Sequence, residues 1–245
     1  MKPGEVISLP GETSRQIRRV LRLSIGDEVT LFNGTGFETV ARIIDVSRSH
    51  VDVKPVGKTV AGTVPGQPDV HLGLGLLKAD RFDLVVQKAT ELGVRSVTPI
   101  ECERSVVSLS ADRAQSRRAR WERISIEALE QSGRADFVKV RDPIRLSDAP
   151  EQFRSSRKLV AWEQANGRSL VTSLAQDDSA VDILVGPEGG FSETEVAQLG
   201  AHGFEPVSLG SLILRSETAA ICALAMIRAV AEIGRADSLA GPGGR

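Results

Sequence analysis

Tyrosine is absent from the 245 residues, and aromatic residues amount to 4%, seven Phe and two Trp. Any recognition of nucleobases by this chain has to lean on arginine and shape more than on aromatic platforms. Cysteine is almost as scarce. Cys102 and Cys222 are isolated and show no CxxC or Cys/His spacing, which excludes a disulfide framework and a zinc ribbon and points to two buried, reduced thiols. No apolar run approaches the length needed to span a bilayer, and the opening MKPGEVISLPGE has no apolar core of a signal peptide, so no membrane association is expected and a cytoplasmic location is. Charge of one sign is missing too. The formal net charge of −1 gives no whole-chain attraction to a polyanion.

What is present is an ordinary globular composition, 41% hydrophobic and 26% charged, in a chain long enough for a small domain and a medium one. Charge is clustered even though it balances. Arg15, Arg18, Arg19 and Arg22 fall within eight residues, and six arginines lie between Arg104 and Arg123. Either cluster can contact phosphates or simply form a solvated helix face.

Residues 1 to about 56 read as short β segments. Thr30 to Phe32 precede Asn33-Gly34, followed by alternating runs at 39–44 and 50–53, a hairpin signal within a small β-barrel-like module. Residues 57–68 are rich in Gly, Pro and Thr and read as a linker. Beyond Pro68, short apolar strands near 70–76, 96–100, 158–162, 181–185 and 205–209 alternate with helical stretches, the pattern of an α/β sheet. Phe82, Val85, Ala89 and Leu92 share one helix face, as do Trp121, Ile124 and Ala128. Ser192 and Glu195 form a capping box, with Phe191 and Val196 spaced as a hydrophobic staple. A final apolar helix is expected over 217–233, ended by Gly234, then a flexible tail.

Four segments could carry chemistry. Gly186-Pro187-Glu188-Gly189-Gly190 lies between an apolar strand and the capped helix, where an open α/β sheet binds ligands; it reads equally as a structural turn. Leu209 to Ala220 leads from a strand into the last helix, and its Arg215, Ser216, Glu217 and Thr218 either greet a ligand at a helix N-terminus or merely cap it. Lys78 to Val94 and Glu127 to Arg134 place long polar groups at i, i+3 and i+4 spacings, as ordinary helix surfaces also do. Gly73-Leu74-Gly75 is a weak match to the class-I methyltransferase fingerprint, lacking its third glycine.

Taken together and in order, KxxRxDxxxQKxTELGV at 78–94, GPEGGFSxxE at 186–195 and LRxETA at 214–219 closely resemble the RsmE family of the SPOUT methyltransferase superfamily. The segment from Arg15 to Glu28 is also similar to that family's N-terminal PUA-like RNA-binding module. The resemblance spans nearly the whole chain, with two departures: Leu212 stands where the family often has Arg, and Arg15-Gln16 where it commonly has a histidine.

The resemblance implies a PUA-like β-barrel domain with linker over 1–68 and a SPOUT domain over 69–245. The latter is a parallel sheet whose C-terminal part, about 181–235, is tied in a trefoil knot. It implies S-adenosylmethionine as cofactor, no metal, and 16S ribosomal RNA or the small ribosomal subunit as partner, methylated at N3 of a uridine. It also implies a homodimer with the last helix at the interface. Carried over residue by residue, the cofactor site comprises Gly186, Pro187, Glu188, Gly189, Gly190, Leu209, Gly210, Ile213, Leu214, Ser216, Thr218 and Ala219, with Ala161 and Trp162 contributing. Arg215 and Glu217 become the catalytic candidates. Arg15, Arg18, Arg19, Arg22, Lys78, Arg81, Lys88, Arg104 and Arg134 become RNA contacts. A SPOUT enzyme acting on tRNA or a ribose 2′-hydroxyl, and a non-catalytic RNA-binding assembly factor, stand as alternatives.

Overall fold

A computed structural model describes residues 5–61, 67–165, 167–175 and 178–240, with the side chains of 237–240 left aside. The chain divides into two compact units. One holds the N-terminal residues to 63 together with 133–137; the other holds 64–132 and everything from 138 onward.

The first unit is a five-stranded antiparallel sheet built from β1 (Ile7–Ser8), β2 (Glu28–Phe32), β3 (Phe37–Val46), β4 (Val51–Pro55) and β5 (Val60–Ala61). Its order is β1-β4-β3-β2, with β5 paired to β3, so two residues of the expected linker add a strand. The remainder of that linker at 62–66 lies outside the described residues. The hairpin forms around Asn33-Gly34 as its sequence indicates, but over four residues, with Gly34 and Gly36 both at positive φ. Ala41, Ile43, Val51 and Val53 are buried against Ile17. Between β1 and β2 the chain is helical, in α1 (Gly11–Gln16) and a π-helical turn at Ile17–Leu21, within a stretch whose sequence reads overall as β segments although the arginine cluster at 15–22 also fits a helix face. Residues 133–137 join this unit from far along the chain. Gly36 N–H donates to Ala135 O, Phe137 N–H donates to Gly34 O, and the Phe32 and Phe137 rings meet edge-on at 6.1 Å.

The second unit is a wholly parallel sheet. Its strands are β6 (Asp69–Gly75), β7 (Ser96–Glu101), β8 (Lys139–Val140), β9 (Ile144–Arg145), β10 (Arg157–Ala161), β11 (Ala180–Val185) and β12 (Glu205–Val207), in the order β12-β10-β11-β6-β7-β8, with β9 paired to β7. The apolar runs are continuous because both faces are covered. Ile183 and Val185 face one buried cluster, while Leu184 between them faces the other. On the first face lie α2 (Ala79–Glu91), α3 (Ala111–Ser132), α5 (Leu170–Ser173) and α7 (Ser216–Ala240), through Phe82, Val85, Trp121, Leu170, Ala223 and Ile227. On the other lie α4 (Ala149–Gln152) and α6 (Glu193–Ala201), through Ala149, Val196 and Leu199.

Two helix expectations are corrected. α7 starts at Ser216 and passes through Gly234 to Ala240, because Gly234 is buried and packing outweighs the roughly 1 kcal/mol that a mid-helix glycine costs. Cys222 on α7 is half-buried, whereas Cys102 is buried as expected. The expected tail at 241–245 lies outside the described residues. Among the described residues no helix is long and apolar enough to cross a membrane.

Gly73 and Gly75 have packing duties. A Cβ on Gly73 would stand 2.3 Å from Leu184 and 2.8 Å from Phe153, side chains of the core. One on Gly75 would stand 2.3 Å from the backbone nitrogen of Pro187. Gly75 lets the end of β6 lie directly under the loop after β11, and Gly73 lets core side chains close over the strand.

Candidate functional site

β10, β11 and β12 are parallel neighbours, so their carboxyl ends open on one edge of the sheet, where ligands bind in open α/β folds. The three loops that follow enclose a cavity of about 210 Å³. Thirteen of the fourteen cofactor candidates line it: Ala161 and Trp162, Gly186 through Gly190, Leu209, Gly210, Ile213, Leu214, Ser216 and Ala219. Thr218 does not; it points outward, two residues into α7. Glu163, Val185, Phe191, Ser208, Ser211 and Leu212 also line the cavity and were not among the cofactor candidates, although Phe191 reads as a staple and Leu212 as a departure from the family pattern. Their positions beside the recognised motifs were the only available signal.

The loop at 186–190 is held from several sides. Gly190 adopts φ +68°, and Gly190 N–H donates to Pro187 O. The capping box forms in full: Ser192 Oγ accepts from Glu195 N–H, and Glu195 Oε2 accepts from Ser192 N–H. The turn after β7 braces this cap, since Ser192 Oγ donates to Glu103 Oε2 at 2.8 Å and Glu103 N–H donates to Glu195 Oε1 at 2.8 Å. Arg104 donates from Nη1 to Gly189 O at 3.2 Å, and a Cβ on Gly189 would press on Arg104 Cβ at 2.8 Å.

Two features of the cavity fit a nucleoside-like cation. Carboxylates of Glu163 and Glu188 line it among apolar side chains, offering negative charge and acceptors beside surfaces on which a flat ring can lie. Among the described residues the buried indole Nε1–H of Trp162 has no hydrogen-bond partner, a donor that a bound ligand can satisfy. Leu212 and Ile213 on the rim are 79% and 87% exposed.

A profile described as the RNA methyltransferase domain matches residues 65–228, and one described as the RNA methyltransferase PUA domain matches residues 9–56. Ribosomal RNA small subunit methyltransferase E of Bacillus subtilis is 33% identical over 239 residues, covering 94% of this chain and 92% of its own. The chain belongs to the RsmE family. The Neisseria gonorrhoeae RsmE crystal structure bound to S-adenosyl methionine superposes with a TM-score of 0.84 at 31% identity, covering 94% of each chain. A Legionella pneumophila protein solved with bound SAM superposes with a TM-score of 0.86 at 33% identity, covering 94% of this chain and 93% of its own.

Around this RsmE cavity the remaining candidates separate. Arg215 is exposed, and among the described residues its guanidinium has no hydrogen bond or ion pair. The Glu217 side chain is 13% exposed, and its buried Oε2 has no hydrogen-bond partner among the described residues. Arg81 reaches both Glu188 and Glu217, at 3.5 and 3.9 Å. Lys78 is exposed; its backbone N–H donates to Glu188 Oε1 at 3.3 Å. Lys88 pairs with Glu91 at 2.8 Å.

In the first unit Arg15, Arg19 and Arg22 are exposed, and Arg22 is the one non-glycine residue with positive φ among those described. Arg18 is turned inward, donating to the carbonyls of Ser14 and Ser47. Arg134 pairs with Asp136 at 2.8 Å. The second arginine cluster is partly neutralised, with Arg118 bound to Glu122 and Asp142, and Arg120 to Asp83.

Proposed function

We propose that this RsmE protein methylates N3 of a uridine in 16S ribosomal RNA of the small subunit, in the cytoplasm, with S-adenosylmethionine as methyl donor. The observation that carries the reading is the single cavity lined by thirteen motif residues at the carboxyl ends of three parallel strands. The Neisseria relative, solved with that cofactor, supports the same ligand here.

The backbone of Gly186 to Gly190 and of Leu209 to Leu214 would cradle the cofactor, with Glu163 and Glu188 balancing its positive charge and Trp162 supplying a hydrogen bond. The cofactor brings an electrophilic methyl group on a sulfonium sulfur. The protein's own work is on the nucleophile. Uridine N3 carries an imide proton and is a poor nucleophile until that proton leaves. Glu217 is the group we assign to take it: it follows Ser216 of the cavity lining, and its Oε2 has no hydrogen-bond partner among the described residues, so it is free to accept. Arg215, with no hydrogen bond or ion pair among the described residues, stabilises the charge that then spreads onto O2 and O4, or holds the neighbouring phosphate.

The target base must leave any stack to reach the cavity, and with so few aromatics the exposed Arg15, Arg19 and Arg22 would carry much of the RNA contact. The reading includes a trefoil knot, supported by β12 lying outside β10 while α7 returns across the sheet to α2. It also includes a homodimer, supported by the exposed stripe of Thr218, Ala225, Ala229 and Ile233 on one side of α7.

The test is methyl transfer from labelled S-adenosylmethionine to small subunits from a strain lacking the activity. Label in 16S RNA supports the reading. Label only in tRNA, or none despite cofactor binding, overturns it.

A further inference from the structure

We propose that Arg81 is a positioning residue, which ties the cofactor loop to Glu217 and holds that carboxylate in its working orientation. This rests on the methyltransferase reading above and goes beyond it, since sequence placed Arg81 among the RNA contacts. Arg81 sits in the first turn of α2, with its side chain 32% exposed, between two carboxylates that come from distant parts of the chain. Nη1 lies 3.5 Å from Glu188 Oε1 and Nε lies 3.9 Å from Glu217 Oε1. Glu188 belongs to the loop that lines the cavity, and Glu217 to the start of α7.

The pairing is unequal in a telling way. Glu188 Oε1 also accepts the backbone N–H of Lys78, so that carboxylate is anchored at two points. Glu217 has no hydrogen bond among the described residues, and Arg81 is its only ion-pair partner there. The second oxygen of each carboxylate is buried and unpartnered. Two buried acceptors held by one guanidinium leave capacity that a donor from substrate or cofactor would fill, and they cost free energy until it arrives. Packing confines the Glu217 side chain, which is 13% exposed, and Arg81 is the one charged group described that orients its carboxylate.

The fork geometry of Arg is what lets one side chain address two acids at once. Lysine has the charge and three donors, but on one compact nitrogen at the end of a flexible stem, so it cannot reach the two carboxylates through separate, rigidly spaced nitrogens as Nη1 and Nε do here. An RNA-phosphate contact behaves differently, because lysine substitutes for arginine there as a point charge.

The test measures Arg81→Lys and Arg81→Met in the full-length protein. S-adenosylmethionine affinity is read by calorimetry, RNA affinity against salt by filter binding, and single-turnover methyl transfer at saturating RNA. The proposal expects both variants to lose at least tenfold in the transfer rate and to leave the salt slope of RNA binding unchanged. It further expects Arg81→Met to add little to the loss already caused by Glu217→Gln, since the two act as one unit. An Arg81→Lys protein with normal turnover, or an Arg81→Met protein whose salt slope falls by about one with the transfer rate intact, overturns it and makes Arg81 a phosphate contact. If Arg81→Met does not fold, Arg81→Lys alone decides. Failure of the functional reading itself would appear separately, as absence of transfer by the unaltered protein.

Discussion

The two glycines at the end of β6 make opposite predictions although only one residue separates them. A Cβ on Gly75 would lie 2.3 Å from Pro187 N, 2.6 Å from Pro187 Cδ and 2.8 Å from the carbonyl carbon of Gly186. Two of these atoms are backbone and the third is in a rigid ring, so no rotamer change relieves the overlap. Restoring ordinary contact at 3.4 Å requires the cofactor loop to retreat by about 1 Å. A displacement of that size at a site that works by positioning costs about 10²-fold. For Gly73→Ala the same construction meets the ends of Leu184, Ile100 and Phe153, at 2.3, 2.7 and 2.8 Å. Those side chains can shift, so the expected result is overpacking of the core at about 1–3 kcal/mol, with the loop left in place. Thermal unfolding and calorimetric titration with S-adenosylmethionine separate the two. Gly75→Ala should bind S-adenosylmethionine more weakly and lose about two orders of magnitude in methyl-transfer rate, and Gly73→Ala should lose stability while the folded protein binds normally. Wild-type affinity in Gly75→Ala would refute the view that backbone contact positions this loop.

Three further outcomes follow from local geometry. Ser192→Ala removes both the cap of α6 and the donor to Glu103, and should cost about 1–2 kcal/mol in urea unfolding; no loss would mean the box is ornamental. His71 has its pKa lowered from 6.5, chiefly by burial, with Asp182 and Asp69 partly opposing. The unfolded chain therefore takes up this proton first, and stability should fall as pH drops through 6.5, more steeply than in His71→Gln; equal slopes would refute this. Burial, with Glu195 nearby, pushes the Cys102 thiol up to about 12, so alkylation of Cys102 at pH 8 should require unfolding, and rapid native labelling would contradict it.

The parallel sheet was legible because each strand is an apolar run bounded by turn residues and buried on both faces, as Ala180 to Val185 illustrates. The capping box was legible because its partners are three residues apart. The cavity was legible through motif resemblance, and the side chains it missed, such as Glu163, lie in the same loops. What stayed hidden depends on contacts between distant segments. Nothing near Arg81 in sequence announces Glu188 and Glu217, and nothing in residues 133–137 announces the N-terminal sheet. Spacing of Gly73 and Gly75 resembled a nucleotide fingerprint, yet each answers to a neighbour more than 100 residues away. Gly234 looked like a stop, but a burial term that no local rule contains carries α7 past it.

The most direct measurement is nucleoside mass spectrometry of 16S RNA from a bacterial strain lacking its own RsmE, with and without this chain expressed. The account predicts 3-methyluridine appearing only when the chain is present and disappearing with Glu217→Gln. Continued absence of 3-methyluridine, or a methyl group found on a ribose or another base, would contradict it.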